Sequence, residues 1–289
     1  MLRRQAQAVL TALIKRLPTR VRFAITYRLG EDFRKMWDTF RRETLATLFL
    51  RGEGIEVGAL DHPLPVPDGV RVKYVDLMPL EKLKTTFPNL ELIKGPDIVD
   101  DGEKLTTIPD ASQDFVIANH FIEHSQDPIG TIKNFLRVLR PGGILYMALP
   151  DKRFTFDVDR PSTSFDHMLK DHTEGPDWSR LDHFREAIAA YSGATAPLDL
   201  ERSLEFEMNK VGHTHFHVWS QEDMLTFVAG LRTRVGLDIE VEAYVSNHDQ
   251  GEGILVLRKG DAGQDRRMAD ESLQHAREAF RARFNGNGN

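Results

Sequence analysis

SQDFVIANHFIEHSQDPIGTIKNFLRVLRPGGILYMALP, residues 112–150, reads as strand, loop, helix and strand. Asp114–Asn119 and Ile144–Leu149 are short apolar runs of the kind that form strands buried on both faces of a parallel sheet. Between them Pro128 opens an apolar-periodic helix that runs to Leu139, and Pro141, Gly142 and Gly143 are expected to stop it and launch the next strand. The same rhythm extends in both directions. Strands are predicted at Ile55–Gly58, Val70–Asp76 and Leu90–Lys94 upstream, and at Leu237–Val245 and Gly253–Arg258 downstream. Further helices are expected at Pro79–Thr86 and Gln221–Leu231, the latter capped by Ser220 with Glu222 and Asp223 in its first turn. This alternation predicts an α/β fold: a Rossmann-like, doubly wound, mostly parallel seven-stranded sheet with helices on both faces.

The rhythm breaks between Pro150 and Gly212, where a stretch rich in Asp, His, Arg and Pro intervenes. The expected organisation is an N-terminal helical extension at 1–50 and a body at 51–260, with the insertion 151–212 forming a lid over a site and a polar tail at 261–289.

Composition removes several kinds of chemistry. The 289 residues include no cysteine, so disulfides, thiolate nucleophiles, iron–sulfur clusters and Cys-ligated zinc are excluded, and any metal would need His and carboxylate ligands. No stretch approaches the ~20 apolar residues of a membrane-spanning helix, and the Arg-broken start lacks a secretory cleavage site. A cytoplasmic protein is expected. Residues 1–30 nevertheless carry +7 and no acid, leaving −13 on the rest of a chain whose net charge is −6. Val9, Leu10, Leu13, Ile14 and Leu17 make an apolar stripe beside those cations. Two readings stay open: packing of this helix on its own domain, or peripheral attachment to the inner face of an anionic membrane. Nucleic acid is not expected as a partner, because the body is acidic and no aromatic residues interleave with basic ones.

In an open parallel sheet the informative residues follow the strands. Glu56 and Gly58 end the first strand, Asp76 ends the second twenty residues later, and Asp100, Asp101 and Gly102 follow the third. An acid at the position of Asp76 is placed to accept hydrogen bonds from two ribose hydroxyls, and Asp101 suits an adenine amino group.

With these residues in order, the chain resembles the class I S-adenosylmethionine-dependent methyltransferases, in particular the type 11 group, from about Gly54 to Lys259. The resemblance rests on Glu56-Val57-Gly58, on Asp76, on the run Asp101-Gly102-Glu103 with Leu105, on SQDFVIANHFIEHSQDP, and on LRPGG from Leu139. It implies S-adenosylmethionine as cofactor and S-adenosylhomocysteine as product. The cofactor would be held by Glu56, Gly58, Ala59, Asp76, Leu77, Asp101, Gly102 and Asn119. Leu60 and His62 stand where the family's first turn usually has its second and third glycines, which affects the pose of the methionine portion.

A hydroxyl acceptor must lose a proton during methyl transfer, so a base is expected near the methyl group. His120, Glu123 and His124 follow the fourth strand, where the resemblance places it; a neutral His124 or His120 is the candidate base, with a role in holding loop geometry as the alternative. The same HFIEH run spells a zinc-peptidase signature, which requires both histidines on one helix face; here it follows a strand and precedes the Pro128 helix. His213, His215 and His217 alternate at period two, so an extended chain would put all three on one face, for substrate contact, structural hydrogen bonding or metal ligation. Arg153 and Asp157, with Phe154, Phe156 and Trp178, suit a polar, sugar-like acceptor. The expected function is O-methylation of a polar small-molecule or glycan acceptor, such as a sugar of a surface glycan or its precursor. A His-metal-dependent hydrolase and a non-catalytic cofactor-binding partner protein are the alternatives.

Overall fold

The apolar runs pair into one sheet. The computed structural model describes residues 42–88, 95–192, 204, 208, 214–247 and 250–261. Its strands are β1 (Glu53–Val57), β2 (Arg71–Asp76), β3 (Ile98–Val99), β4 (Gln113–Asn119), β5 (Leu139–Pro150), β6 (Ile239–Asn247) and β7 (Glu252–Lys259). The helices are α1 (residues 42–49), α2 (Leu80–Thr86), α3 (Pro128–Val138), α4 (Phe165–Glu174), α5 (Asp177–Ser192) and α6 (Gln221–Thr233). Strand order is β3-β2-β1-β4-β5-β7-β6. β1 to β5 run parallel, whereas β7 is antiparallel to both β5 and β6. The fold class read from the sequence is the one observed.

Period-two alternation along the central strands divides the core between the two sheet faces. Val116, Ala118, Leu145 and Met147 point to one face, where Ile129, Ile132 and Phe135 of α3, Met168 of α4 and Phe227 of α6 cover them. Phe115, Ile117, Tyr146 and Val256 point to the other, packed with Leu45 and Ala46 of α1, Leu50 and Leu64. The helices start where their caps dictate. Asp127 accepts from Gly130 N at 2.8 Å ahead of Pro128, and Ser220 and Asp223 close a reciprocal capping box on α6.

Two local expectations change. The Pro-Gly-Gly segment does not separate α3 from β5; it lies inside β5, which begins at Leu139. Leu139 pairs with Gln113 and Ile144 with Phe115, so Arg140–Gly143 stand opposite the single Asp114 as a large bulge. The strand expected at Leu90–Lys94 lies outside the described residues, and the strand paired with β2 is Ile98–Val99, in register with Val75 and Asp76. The basic start and residues 262–289 of the tail also lie outside the described residues.

The strand order reverses between β1 and β4. A crevice opens there at the carboxyl ends of the strands, where open α/β sheets hold their ligands.

Candidate active site

Two adjoining cavities occupy this crevice. The smaller, about 230 Å³, is lined by Gly58, Asp76, Leu77, Asp101, Gly102 and His124 among others. The larger, about 480 Å³, is lined by Arg42, Glu56, Ala59, Asn119 and His120 among others. Gly58, Leu60 and His120 border both.

Backbone geometry keeps the smaller cavity open. Gly102 has no room for a side chain: a Cβ would lie 2.5 Å from Val57 Cγ1 and 2.7 Å from Phe121 Cζ. Gly58 turns the chain at φ 66°, a region that favours glycine. Leu60 adopts φ 47° and His120 φ 49°, left-handed conformations that are uncommon for such side chains and tend to cluster at functional sites. Leu60 therefore takes up a glycine-like backbone at one of the places where the sequence departs from the three-glycine turn.

The acids after β2 and β3 differ in what they have left to offer. Asp100 is saturated: it accepts from Thr107 N (2.7 Å), Thr107 Oγ1 (2.7 Å), Thr106 Oγ1 (3.0 Å) and Asp101 N (2.8 Å). Burial opposes its ionisation, but those bonds win and hold it below the usual carboxylate range. Asp76 is approached only by the backbone amides of Leu77 and Met78, the latter at 3.3 Å, and burial outweighs them and raises it above the usual range. Its carboxylate faces the cavity with accepting capacity to spare. Asp101 accepts from Glu103 N at 3.0 Å and pairs with Lys104 at 2.8 Å. In the larger cavity Glu56 is buried and pushed up to about 7, by burial against the opposing bonds from Leu64 N and the charge of Arg42. Both amide atoms of Asn119 are buried with no hydrogen-bond partner, so this side chain awaits a polar group from the cavity.

An ionic chain runs beneath. Glu252 of β7, fully buried, accepts from Arg42 Nε (2.9 Å), Asn247 Nδ2 (2.8 Å) and His120 Nε2 (2.8 Å). His120 Nδ1 lies 3.5 Å from Glu123 Oε1. Burial would favour neutral His120, yet the two carboxylates overcome it and raise the imidazole to about 9. His120 is therefore protonated at neutral pH, which corrects its candidacy as a neutral base. Neither Arg42 nor Glu252 stood out in the sequence, because their partner is supplied by the fold and no local motif marks it.

His124 differs. Its Nδ1 lies 2.9 Å from the Thr214 carbonyl, which only accepts, so Nδ1 carries the proton and Nε2 keeps its lone pair. Burial first, and the neighbouring His215, hold its pKa below the ordinary value despite Glu123. Glu123, wholly buried with Oε1 4.0 Å from His124 Nε2, stays ionised against its own desolvation chiefly because of the protonated His120 beside it. His215 presents its edge to the His124 ring with centroids 4.9 Å apart and donates from Nδ1 to Asp157 Oδ2 at 2.6 Å.

His215 and His217, the two described members of the alternating run, do not share a face. Phe216 N and His217 N both donate to the Glu123 carbonyl, at 2.7 and 3.3 Å, which breaks the extended chain. His215 turns towards His124 and His217 away, towards His183; His213 lies outside the described residues. The hydrolase reading that needed all three together loses its geometry. Asp157 is buried between Arg160 and His215 and orients the latter, so it is not exposed to an acceptor. Arg153 is committed to Asp151 and approaches Gln221 and Glu222 at the start of α6. The peptidase reading fails because His120 precedes a 3-10 turn of only Ile122–His124.

Residues 57–147, from the end of β1 into β5, match the family described as methyltransferase domain. Among solved structures, a SAM-dependent methyltransferase of Methanosarcina mazei is 18% identical, over 73% of this chain and 93% of that one, with a TM-score of 0.38. A SAM-dependent methyltransferase from Aquifex aeolicus is 14% identical, over 74% and 86% of the two chains, with a TM-score of 0.39. No curated protein matches. The region between β1 and β5 is a methyltransferase domain of Rossmann-like fold. The match, confined to this stretch, agrees with the type 11 methyltransferase resemblance read from the sequence.

Proposed function

We propose that the chain methylates an oxygen of a polar, hydroxyl-bearing acceptor, with a sugar of a surface glycan or its precursor as the favoured class. The observation that carries this reading is the state of His124: neutral near pH 7, its Nδ1 proton committed to Thr214 and its Nε2 lone pair on a residue lining the smaller cavity. A base of this kind is what a hydroxyl acceptor needs.

When bound, S-adenosylmethionine supplies a methyl group on a sulfonium, open to in-line displacement by the acceptor oxygen. The residues fit that group: Asp76 has unused accepting capacity for ribose hydroxyls, Asp101 and Gly102 border the same cavity, and Asn119 has an unmet need for polar partners beside Glu56. Gly58, Ala59 and Leu77 complete the walls. His124 takes the acceptor proton at Nε2, and ionised Glu123, 4.0 Å from that nitrogen, offsets the charge of the imidazolium that results. Protonated His120 fixes Glu123 from the other side. Phe156, 45% exposed and 4.8 Å from the His215 ring, offers an apolar surface on which a sugar face can stack. No described helix is long and apolar enough to cross a membrane. The basic amphipathic start suits an acceptor assembled at the inner face of the cytoplasmic membrane.

A second reading rests on one observation: Glu123, His124 and His215 place ligand atoms within 4.8 Å of one another. A divalent ion there would occupy the position assigned to the proton. Methyl-labelled cofactor incubated with nucleotide sugars, phenols and primary amines, with and without chelator, tests both. Label in sugar ethers, slowed by ~10²–10⁴ in His124→Ala with cofactor affinity kept and no divalent ion lost in His215→Ala, supports the base. Label confined to amines overturns the O-methylation reading, and a divalent ion bound by the unmutated chain but lost in His215→Ala favours the metal.

A further inference from the structure

Beyond the methyltransferase site, a second group of titratable side chains lies where the insertion meets the body. His167 and Asp171 stand one turn apart on the same face of α4, His183 comes from α5, and His217 comes from the loop before α6. One ligand atom from each lies within 4.8 Å of all the others. We propose that His167, Asp171, His183 and His217 form a four-ligand site for a zinc-class divalent ion, which staples the inserted helices to the loop carrying Thr214 and His215.

Spacing is the first argument. His167 Nε2 and His183 Nε2 are 2.9 Å apart, His167 Nε2 and Asp171 Oδ2 3.3 Å, and His217 Nε2 and Asp171 Oδ2 3.8 Å. A tetrahedral ion with bonds of ~2.0–2.2 Å separates its ligand atoms by about 3.3–3.5 Å, so the observed distances bracket the requirement.

Unmet bonding is the second. Asp171 and His217 are almost wholly buried. Asp171 Oδ2 and His217 Nε2 are inaccessible to solvent and lack any hydrogen-bond partner. Buried polar atoms without partners are rare and costly, and here they converge on one point. Two imidazole nitrogens at 2.9 Å share at most one proton, which leaves the carboxylate and His217 unsatisfied; a single cation satisfies all four.

The surroundings have the form of an outer shell. Ser179 Oγ donates to Asp171 Oδ1 at 2.7 Å, fixing the carboxylate with Oδ2 turned inward. Trp178 packs on the His167 ring at 4.7 Å between centroids. Three imidazoles and one carboxylate favour zinc over magnesium or calcium, which want oxygen ligands. Four protein ligands leave no open position, so the role is structural. The consequence for the active site runs through the backbone. His217 N and Phe216 N hang from the Glu123 carbonyl, and Thr214 O in the same loop fixes the proton on His124.

The test uses the full chain without a polyhistidine tag, stripped with chelator and titrated with zinc chloride against a chromophoric competitor. The expected result is one zinc per chain with a dissociation constant below 1 µM, and visible bands of four-coordinate cobalt when cobalt replaces zinc. Asp171→Asn and His183→Ala should each weaken zinc binding by more than about tenfold, whereas His124→Ala, in the other histidine group, should keep full stoichiometry. X-ray absorption on the zinc-loaded unmutated chain counts nitrogen and oxygen neighbours, so the outcome stands even if a variant does not fold. Absence of stoichiometric zinc, a six-coordinate spectrum, or equal affinity in all variants would overturn the proposal. None of these readouts depends on methyl transfer.

Discussion

Glu252→Gln removes the anion that joins Arg42 and His120 while preserving side-chain shape. The carboxylate is fully buried and accepts from Arg42, His120 and Asn247. An amide in its place turns an NH₂ towards existing donors and leaves two cations without their shared partner. The magnitude follows from the carboxyl's affinity for its proton. Burial alone would raise Glu252, but His120 and Arg42 hold it down from 4.5 to about 2, and at ~1.4 kcal/mol per pH unit that difference amounts to about 3 kcal/mol. Breaking one side of a buried ion pair gives a similar ~3–5 kcal/mol. For a domain of this size the melting temperature should fall by about 6–12 °C. Urea unfolding of the two proteins across pH is the assay. A depressed carboxyl contributes above its unfolded value of 4.5 and loses that contribution as pH falls towards 2, so the two unfolding curves should separate at pH 7 and converge in acid. Glu81→Gln, in an exposed pair with Lys84, should change stability by less than ~0.5 kcal/mol. A Glu252→Gln difference under ~1 kcal/mol that does not vary with pH would refute the reasoning.

Gly102→Ala forces a Cβ to within 2.5 Å of Val57 and 2.7 Å of Phe121; it should cost about 1–3 kcal/mol in thermal or urea unfolding and abolish detectable cofactor binding by calorimetry. Glu56 is raised by burial to about 7, so its contribution is present below 4.5 and lost as pH rises through 7. Stability measured relative to Glu56→Gln should therefore decline between those values, and a flat difference would show that Glu56 is not desolvated.

The sheet was largely legible because β1, β4 and β5 are buried on both faces and need continuous apolar runs such as Phe115–Ala118. The acids after the strands were legible for a related reason: in an open sheet, ligand-facing positions sit at strand ends. What escaped the sequence depends on contacts distant along the chain. Nothing near His120 announces Glu252, 132 residues away, so its protonated state is a property of the β5-β7-β6 pairing. Period-two alternation in GHTHFHVWS suggested one shared face, but the Glu123 carbonyl captures two successive amides and sends His215 and His217 to different neighbours. Pro141-Gly142-Gly143 carries ordinary helix-stop chemistry, and only pairing with Gln113 and Phe115 makes it a bulge within a strand.

The proposed cofactor site is built around the Asp76 carboxylate. Calorimetric titration of the full chain with S-adenosylhomocysteine, beside Asp76→Ala, tests it most directly. The expected result is one site per chain, insensitive to chelator, with affinity reduced in the variant by about 1–3 kcal/mol, roughly 5- to 150-fold. No binding by the unmutated chain, or equal affinity in both proteins, would contradict it.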